Sequence, residues 1–407
     1  MFIQNDLERG RIHIHNEDPL RLGIVGLGQA GTTMISAISN HPYIQITAAA
    51  DLNQQNLTAF ARDFHAETYT SLEELCQSDN VDAVYIATPT RFHAKQAMIA
   101  AQHRKHILVE KPMALTLQES DEVIQSLERN GVHMMVNHKR SQDPTIRKIR
   151  EIVESGYLGK LGMINVWHFT DWIYRPRTPE ELKDGGVVLR QGSHHFDMLR
   201  FIGGGQVKSV RAMTGVWDKN RNAEGSYLAY LQFENGIAAT SVYSGYNHFN
   251  TDEFILGQRN LYPQRTEIPK WNEQPIHLNP PILNEEEEVK RKRSSGYAHS
   301  YQQKTSPKDK NLPFGLLIAS CERGDIRVSE EGLIVYGNEE NYEIPLLNQP
   351  SGLDIIITQF FNLIKKGKPT IYDARWGRAC LEICHAVLES GKTGEEIFLK
   401  YQYSIDN

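Results

Sequence analysis

Short apolar runs alternate with amphipathic stretches through the first third of the chain. The apolar runs fit buried strands, and the stretches with apolar residues three or four positions apart fit helices that pack on one side. Strands are predicted at 22–25, 44–50, 81–87, 106–110 and 133–137, and helices at 29–39, 54–64, 92–102 and 117–130. This order predicts an α/β domain over residues 20–142, in which helices cover both faces of a doubly wound parallel sheet.

The pattern changes after Asp143-Pro144. A helix is predicted at 145–155, and the strand-like runs that follow are grouped together. They lie at 161–169, 208–217, 226–233, 236–243, 325–328, 332–336 and 342–345, before a helical region at 352–390 with helices at 352–366 and 376–390. Grouped strands predict a C-terminal α+β domain over residues 143–407, for substrate binding and oligomerisation, with an open and mostly antiparallel sheet.

Residues 258–315 differ in composition from the rest of this domain. They are rich in proline and carry an acidic run at 285–288 and a basic run at 290–293. We predict a long irregular insertion. Three interpretations remain open, namely a mobile surface loop, a lid on the substrate site and an arm for subunit association.

Charge and cysteine content narrow the classes of function. The net charge of −6 gives no reason to expect nucleic acid as a partner. The spacing of Cys380 and Cys384 fits two buried thiols on a helix, so no metal site is predicted. No apolar run is long enough for a membrane span, and residues 1–19 form a polar extension without a signal-peptide core. We therefore expect a cytoplasmic location and no membrane partner.

A glycine-rich turn follows the first predicted strand and opens the first helix. Its sequence is Gly26-Leu27-Gly28-Gln29-Ala30-Gly31. Gly26 would permit the tight turn, Gly28 the approach of the backbone to a pyrophosphate, and Gly31 close packing of the helix on the sheet. Gln29 and Ala30 lie at the helix N-terminus, whose free N–H groups attract phosphates. The turn therefore predicts a dinucleotide-binding Rossmann domain.

Asp51 lies at the end of the second predicted strand, twenty residues beyond Gly31. Its carboxylate would accept hydrogen bonds from the adenosine ribose and repel a 2′-phosphate, and no arginine follows it directly. NAD is therefore the predicted cofactor, with NADP as the alternative. Thr88 and Pro89 follow another strand at the same edge of the sheet and would line the cofactor.

Together with several later segments, these residues resemble the Gfo/Idh/MocA oxidoreductases. The matching segments are Gly26–Gly31, Asp51, Thr88-Pro89 with His93, Glu110-Lys111-Pro112, Asn137, Gly159–Gly162 and Gly192–Asp197. The resemblance implies that His93, Glu110, Lys111 and Asn137 also lie at the cofactor site. It further implies a cis peptide bond before Pro112, as is frequent in the family.

The same resemblance implies a catalytic pair. Lys111 would bind the reacting oxygen and stabilise negative charge there, and His194 would act as general acid and base. The chemistry agrees, because hydride leaves a carbinol carbon most easily while the hydroxyl proton is being removed, and an imidazole titrates near neutrality. A structural role in the core is the alternative for His194. His195 is a further candidate for substrate contact, although a supporting role behind the site fits it better.

One position departs from many sugar-acting members of that family, which carry an aspartate four residues before the histidine. This chain has Arg190 there, and Arg175 and Arg177 precede it. Guanidinium groups bind carboxylates through paired hydrogen bonds, so the three arginines predict an anionic small-molecule substrate. The alternative is that they pair with the protein's own acids, such as Glu180, Glu181 or Asp184.

Further segments resemble the 4,5-dihydroxyphthalate dehydrogenase branch of the family. They are residues 174–177, 186–192, 201–205, 320–327, 373–377 and 381–384. That branch implies an NAD-dependent dehydrogenase acting on the secondary alcohol of a carboxylate-bearing cyclic dihydrodiol. The alternatives are a sugar or cyclitol dehydrogenase, an enzyme that uses transient oxidation to drive elimination, and an NAD-binding regulator without turnover. An open sheet that packs on another subunit, as in this family, implies a homodimer or homotetramer.

Overall fold

The computed structural model describes residues 18–39, 41–175, 177–246, 249–255, 285–293, 296–300 and 313–405. Its first sheet contains β1 (Leu20–Val25), β2 (Ile44–Ala50), β3 (Glu67–Tyr69), β4 (Ala83–Ile86), β5 (His106–Val109) and β6 (Met134–Val136). The six parallel strands have the order β3-β2-β1-β4-β5-β6. This is the order of a dinucleotide-binding Rossmann sheet, so the predicted N-terminal fold is confirmed.

Helices connect these strands, and capping signals in the sequence fix several of their ends. They are α1 (Gln29–Ile38), α2 (Gln54–Phe64), α3 (Leu72–Gln77), α4 (His93–Gln102) and α5 (Leu117–Asn130). For α5, the Thr116 hydroxyl and the Glu119 carboxylate accept from each other's backbone N–H groups, and Gly131 ends the helix in the left-handed conformation. The sequence prediction missed α3 and β3, and β3 is a three-residue edge strand with no buried side chain.

The second sheet belongs to the C-terminal domain. Its strands are β7 (Leu161–Phe169), β8 (Val207–Gly215), β9 (Ser226–Phe233), β10 (Ala238–Ser244), β11 (Leu316–Cys321), β12 (Gly324–Val328), β13 (Gly332–Gly337), β14 (Asn341–Pro345) and β15 (Ile397–Phe398). Their order is β14-β13-β12-β11-β7-β10-β9-β8-β15, and the pairing of β7 with β10 is parallel while the other pairings described are antiparallel. The predicted mostly antiparallel sheet is confirmed, with β11 and β15 as additions.

The helices of this domain are α6 (Pro144–Ser155), α7 (Pro179–Lys183), α8 (Ser193–Gly203), α9 (Asp252–Ile255), α10 (Glu285–Arg293), α11 (Tyr297–Ser300), α12 (Gly352–Lys366) and α13 (Ala374–Thr393). Both α10 and α11 fall in the segment 258–315, so the prediction of an irregular insertion is wrong for those parts. Its positions 258–284, 294–295 and 301–312 lie outside the described residues, as do residues 1–17 of the predicted N-terminal extension.

The two C-terminal helices tie the domains together. Side chains of α12 share an apolar cluster with β1 and α1, and α13 packs against α5, β6, α8 and β8. On α13, Trp376 is fully buried and donates from its indole N–H to the Asp197 carboxylate of α8 at 2.8 Å. This shared core fixes α8 beside the carboxyl edge of the Rossmann sheet. No helix in the described ranges is long and apolar enough to cross a membrane.

Candidate active site

The glycine turn after β1 leaves space where a phosphate would lie. Gly26 has φ of +95°, and a Cβ there would lie 2.9 Å from the carbonyl oxygen of Ala87. A Cβ on Gly31 would lie only 2.0 Å from the carbonyl oxygen of Gly26, whereas a Cβ on Gly28 would have no neighbour within 4 Å. Gln29 and Ala30 begin α1 behind this open space, and the first turn holds no acidic residue. The turn therefore fits a dinucleotide pyrophosphate.

The Asp51 carboxylate supports this turn from the end of β2. One of its oxygens accepts from the Leu27 N–H at 2.6 Å, and the other accepts from the Asn53 N–H at 2.7 Å. Each carboxylate oxygen can accept more than one hydrogen bond, so both keep capacity for ribose hydroxyls. Asp51 therefore fits the ribose-binding role and also organises the phosphate-binding turn.

Lys111 follows β5 at the same edge of the sheet, and the Lys111–Pro112 peptide bond is cis. Behind it, the His93 ring lies between the carbonyl oxygens of Pro112 and Thr88, at 2.8 and 2.7 Å. His93 is buried, so it links the loops that carry Lys111 and Thr88-Pro89 from behind. The Glu110 carboxylate accepts from the Tyr85 hydroxyl and from the Asn137 side-chain amide, which ties β4, β5 and β6 together at this edge.

Lys111 crosses to the C-terminal domain. Its Nζ donates to the Arg190 carbonyl at 2.5 Å, within the π-helical turn Val188–Gly192 that precedes α8. Burial lowers the Lys111 pKa to about 7, with Arg190 and Lys139 acting in the same direction and Glu110 opposing them. Lys111 is therefore a group that can gain or lose a proton near neutral pH.

His194 is the second residue of α8, directly after the π-helical turn. It is 8 % exposed, and its ring lies 4.8 Å from that of Phe314, edge to face. Burial, followed by the charges of Lys111 and Arg140, holds the His194 pKa well below its ordinary value. The imidazole is therefore neutral at physiological pH, and its buried Nδ1 has no hydrogen-bond partner among the described residues. Lys111 is the member of the pair whose pKa lies near neutrality, and the acid–base role of His194 stays a prediction.

His195 points into the C-terminal domain. It is fully buried, and its Nδ1 lies 2.9 Å from both the Ser241 hydroxyl and the Tyr227 hydroxyl. Its ring is also stacked edge to face against Phe314, at 5.4 Å. These contacts hold His195 among buried side chains next to His194, so His195 fits a supporting role better than substrate contact.

The three predicted arginines have different surroundings. The Arg190 guanidinium, with a side chain 12 % exposed, donates to the Thr90 hydroxyl and lies 3.6 Å from the Asp184 carboxylate. Arg177 stacks over the Trp172 ring at 4.4 Å. In the described part of the chain, the buried Nε atoms of Arg190 and Arg177 have no hydrogen-bond partner. Arg175 is more exposed and forms an ion pair with Asp171 at 2.6 Å.

Three site residues were not anticipated from the sequence. Lys139 and Arg140 lie three and four residues beyond the end of β6, and both lower the pKa of His194. Arg140 stacks over the Phe314 ring at 5.0 Å, and Phe314 lies near the end of the predicted insertion 258–315. Ligands of parallel sheets bind at the carboxyl ends of the strands, so the two cations after β6 were an available signal. With Lys111 and Arg190, they give the site a strongly cationic surface.

Behind the site, Asp197, His138 and Cys380 form a buried cluster whose ligand-type atoms lie within 4.8 Å of one another. The Arg200 guanidinium occupies this region, 3.4 Å from the Cys380 sulfur and 3.6 Å from the centre of the Trp376 ring. Burial raises the Asp197 pKa to about 7 and lowers the His138 pKa to about 3. A permanent guanidinium disfavours a metal ion at this place, so the cluster is best described as a buried polar support for α8.

These features define an oxidoreductase with an NAD-binding Rossmann domain, whose candidate site also includes residues of the C-terminal domain. Residues 20–138 match the family description "Oxidoreductase family, NAD-binding Rossmann fold", and residues 146–267 match "GFO/IDH/MocA C-terminal domain". The chain belongs to the Gfo/Idh/MocA oxidoreductase family.

Individual relatives support this assignment. The chain is 35 % identical to 1-carboxy-3-chloro-3,4-dihydroxycyclohexa-1,5-diene dehydrogenase of Comamonas testosteroni, over 92 % of this chain and 95 % of that protein. It is 36 % identical to a proposed dehydrogenase of Bordetella bronchiseptica, whose crystal structure superposes with a TM-score of 0.80 over 94 % of this chain and 100 % of that one. The WlbA dehydrogenase of Bordetella pertussis, in complex with NADH and UDP-GlcNAcA, shares the fold at 21 % identity, with a TM-score of 0.69 over 94 % and 99 % of the two chains.

The change Asp51→Asn tests the cofactor preference. Removing the negative charge ends the repulsion of a 2′-phosphate and weakens the ribose hydrogen bonds. We expect the Kd for NADH to rise about ten-fold, or about 1.4 kcal/mol, while the Kd for NADPH falls. Fluorescence titration with both nucleotides measures this, and Asp79→Asn on the exposed surface is the matched control. An unchanged ratio of the two Kd values would contradict the role of Asp51.

Proposed function

We propose that this chain is an NAD-dependent dehydrogenase that oxidises a secondary alcohol of a small carboxylate-bearing ring, such as a cyclic dihydrodiol. The observation that carries the proposal is the cationic surface around Lys111 and His194. Arg190 occupies the position where many sugar-acting relatives have aspartate, and Lys139 and Arg140 add positive charge on the side of the Rossmann domain. Such a surface favours a carboxylate over a neutral polyol.

The Comamonas testosteroni relative supports the same substrate class. Its name describes a ring that carries a carboxyl group and two hydroxyl groups. The similarity extends over nearly the whole of both chains, so it includes both domains that form the site. A sugar or cyclitol dehydrogenase is the second candidate, because myo-inositol 2-dehydrogenase of Thermotoga maritima is 29 % identical over 47 % of this chain and 58 % of that protein.

The residues fit the proton transfer that alcohol oxidation requires. When bound, NAD⁺ supplies the acceptor for a hydride from the carbinol carbon. Lys111 and His194 would both contact the hydroxyl oxygen, and the hydroxyl proton would leave toward this pair as the C–H bond breaks. The imidazole can accept the proton first, but burial and the nearby cations disfavour the imidazolium form. Lys111 would therefore hold the proton at the end of the transfer, so the protonation states of Lys111 and His194 are coupled.

The pH dependence tests this assignment. Burial lowers the Lys111 pKa to about 7, so the pair is uncharged above that pH and carries one positive charge, on Lys111, below it. We expect kcat/KM for alcohol oxidation to rise with pH through an apparent pKa near 7, and that for ketone reduction to fall through the same region. Steady-state rates between about pH 5.5 and 8.5 in both directions measure this.

Two variants show which residue gives rise to the ionisation near pH 7. Lys111→Arg, which stays charged, should remove the ionisation from the profile, and His194→Gln should lower the rate while keeping it. An oxidation rate that falls with pH in this range would instead indicate a permanently required ammonium.

Replacing an arginine of the site by glutamine tests the charge of the substrate. Arg140→Gln and Arg190→Gln should each lower kcat/KM for a carboxylated dihydrodiol by roughly 10- to 150-fold, which corresponds to about 1.5–3 kcal/mol for a hydrogen bond to a charged group. Turnover of the uncharged dihydrodiol should change little. Arg91→Gln is the matched control, because Arg91 pairs with Glu180 on the surface.

The alternatives give different results in the same assay. Equal turnover of uncharged cyclitols and carboxylated rings would favour the sugar or cyclitol dehydrogenase. Product formation without net NADH release would favour the enzyme that uses transient oxidation to drive elimination.

We also propose that the open face of the second sheet forms a subunit interface. Trp167 on β7, Val242 on β10, Leu228 on β9 and Met213 on β8 are paired in register across four strands. Trp167, Leu228 and Met213 are 44, 53 and 72 % exposed. A continuous apolar row can pack against the same row of a second copy in a two-fold homodimer. Two such dimers can associate through another surface into a homotetramer.

Light scattering coupled to gel filtration tests the interface. The double change Leu228→Glu and Met213→Glu places two charges in this apolar row, so we expect a shift to monomer with the fold retained. Leu347→Glu, at an exposed leucine away from the sheet face, should leave the assembly unchanged. A wild-type protein that is monomeric at micromolar concentration would contradict the proposed interface.

A further inference from the structure

Helix α10 is fixed to the C-terminal domain at the edge of the candidate site. The Glu288 carboxylate pairs with the Arg221 guanidinium through both oxygens, and the two side chains are 5 and 13 % exposed. Lys292 forms an ion pair with Glu181. Burial lowers the Lys292 pKa, Glu181 opposes this, and Arg177 and Arg190 lower it further. The end of α10 therefore lies beside the predicted substrate-binding arginines.

Helix α11 is fixed to the Rossmann domain. Tyr297 is 1 % exposed, and its ring packs edge to face against Phe60 of α2 at 5.8 Å. The Tyr297 hydroxyl donates to the Asp63 carboxylate at 3.0 Å. The Tyr297 N–H donates at 2.9 Å to the carbonyl of Leu27, inside the glycine turn. One residue further on, the Ala298 N–H donates to the Asn56 side-chain oxygen at 3.1 Å.

These two anchors lie at different parts of the cofactor site. Leu27 belongs to the phosphate-binding turn and donates its own N–H to Asp51, so it marks the part that would hold the pyrophosphate and the adenosine ribose. Lys292 lies near Arg190, whose carbonyl accepts from Lys111, so it marks the reacting end. Four residues separate Lys292 from Tyr297 in the sequence, so their Cα atoms lie at most about 18 Å apart. The two anchors therefore connect the C-terminal domain to the Rossmann domain at the cofactor site.

We propose that α10 and α11 form a strap across the bound dinucleotide, and that nucleotide exchange requires Tyr297 to leave its pocket. The anchors on both domains hold the strap closed for most of the time. The observed release rate of the nucleotide is then the intrinsic rate multiplied by the small fraction of molecules with the strap detached. The proposal rests on NAD binding and does not depend on the identity of the substrate.

The test is the dissociation rate constant of NADH from the loaded full-length protein, followed by stopped-flow fluorescence after mixing with excess NAD⁺. Tyr297→Ala removes the ring from its pocket, and we expect release to accelerate about ten-fold or more. Tyr297→Phe loses only the hydrogen bond to Asp63, so its acceleration should be smaller, about two- to ten-fold. Tyr157→Ala is the matched control, because Tyr157 is 62 % exposed and lies outside the strap.

A second variant detaches the other end of the strap and keeps the test decisive if Tyr297→Ala fails to fold. The double change Arg221→Met and Glu288→Met removes both charges, so neither is left buried without a partner. We expect it to accelerate NADH release in the same way. Variants that fold, bind NADH and release it at the wild-type rate would overturn the proposal. A changed KM for the substrate at an unchanged release rate would also overturn it, in favour of a lid on the substrate site alone.

Discussion

The hydrogen bond from Lys111 Nζ to the Arg190 carbonyl is the contact on which the candidate active site depends. It joins the carboxyl edge of the Rossmann sheet to the turn that leads into α8, and so it sets the position of His194 relative to the cofactor site. A carbonyl accepts a hydrogen bond without neutralising the charge of an ammonium. Burial therefore brings the Lys111 pKa down to about 7, where the lysine can exchange a proton.

The same turn connects proton exchange with substrate charge. The Arg190 carbonyl accepts from Lys111, while the Arg190 guanidinium reaches Thr90 and Asp184. Lys139 and Arg140 lie near enough to lower the pKa of His194. A carboxylate bound among these cations would raise the Lys111 pKa, because it stabilises the protonated form. By reciprocity, protonation of Lys111 would strengthen binding of an anion, so substrate affinity and pH are linked in this site.

The sequence was sufficient for the features that depend on local order. Strand–helix alternation predicted the Rossmann sheet, and the glycine turn with Asp51 predicted the cofactor site. It was insufficient where side chains from distant segments meet. Arg140 and Phe314 are far apart in the sequence but stack at 5.0 Å. The segment 258–315 has a composition that suggests irregular structure, yet Tyr297 finds a buried pocket on α2, which no local pattern can show. The low pKa of His194 also follows from burial and neighbouring charge, which only the folded chain provides.

The electrostatics of the site suit the direction proposed for the reaction. Before oxidation, a neutral Lys111 would lie near a positively charged nicotinamide ring. In the proposed oxidation, bound NAD⁺ would supply a hydride acceptor that loses its positive charge, and Lys111 would gain the proton that the hydroxyl loses. The net charge of the site, including the substrate's unchanged carboxylate, would therefore be the same before and after oxidation. A buried site has little water to respond to a change in charge, so conserving it lowers the reorganisation that the step requires. A lysine with an ordinary pKa would remain charged throughout, and the cleft would then hold two positive charges before oxidation.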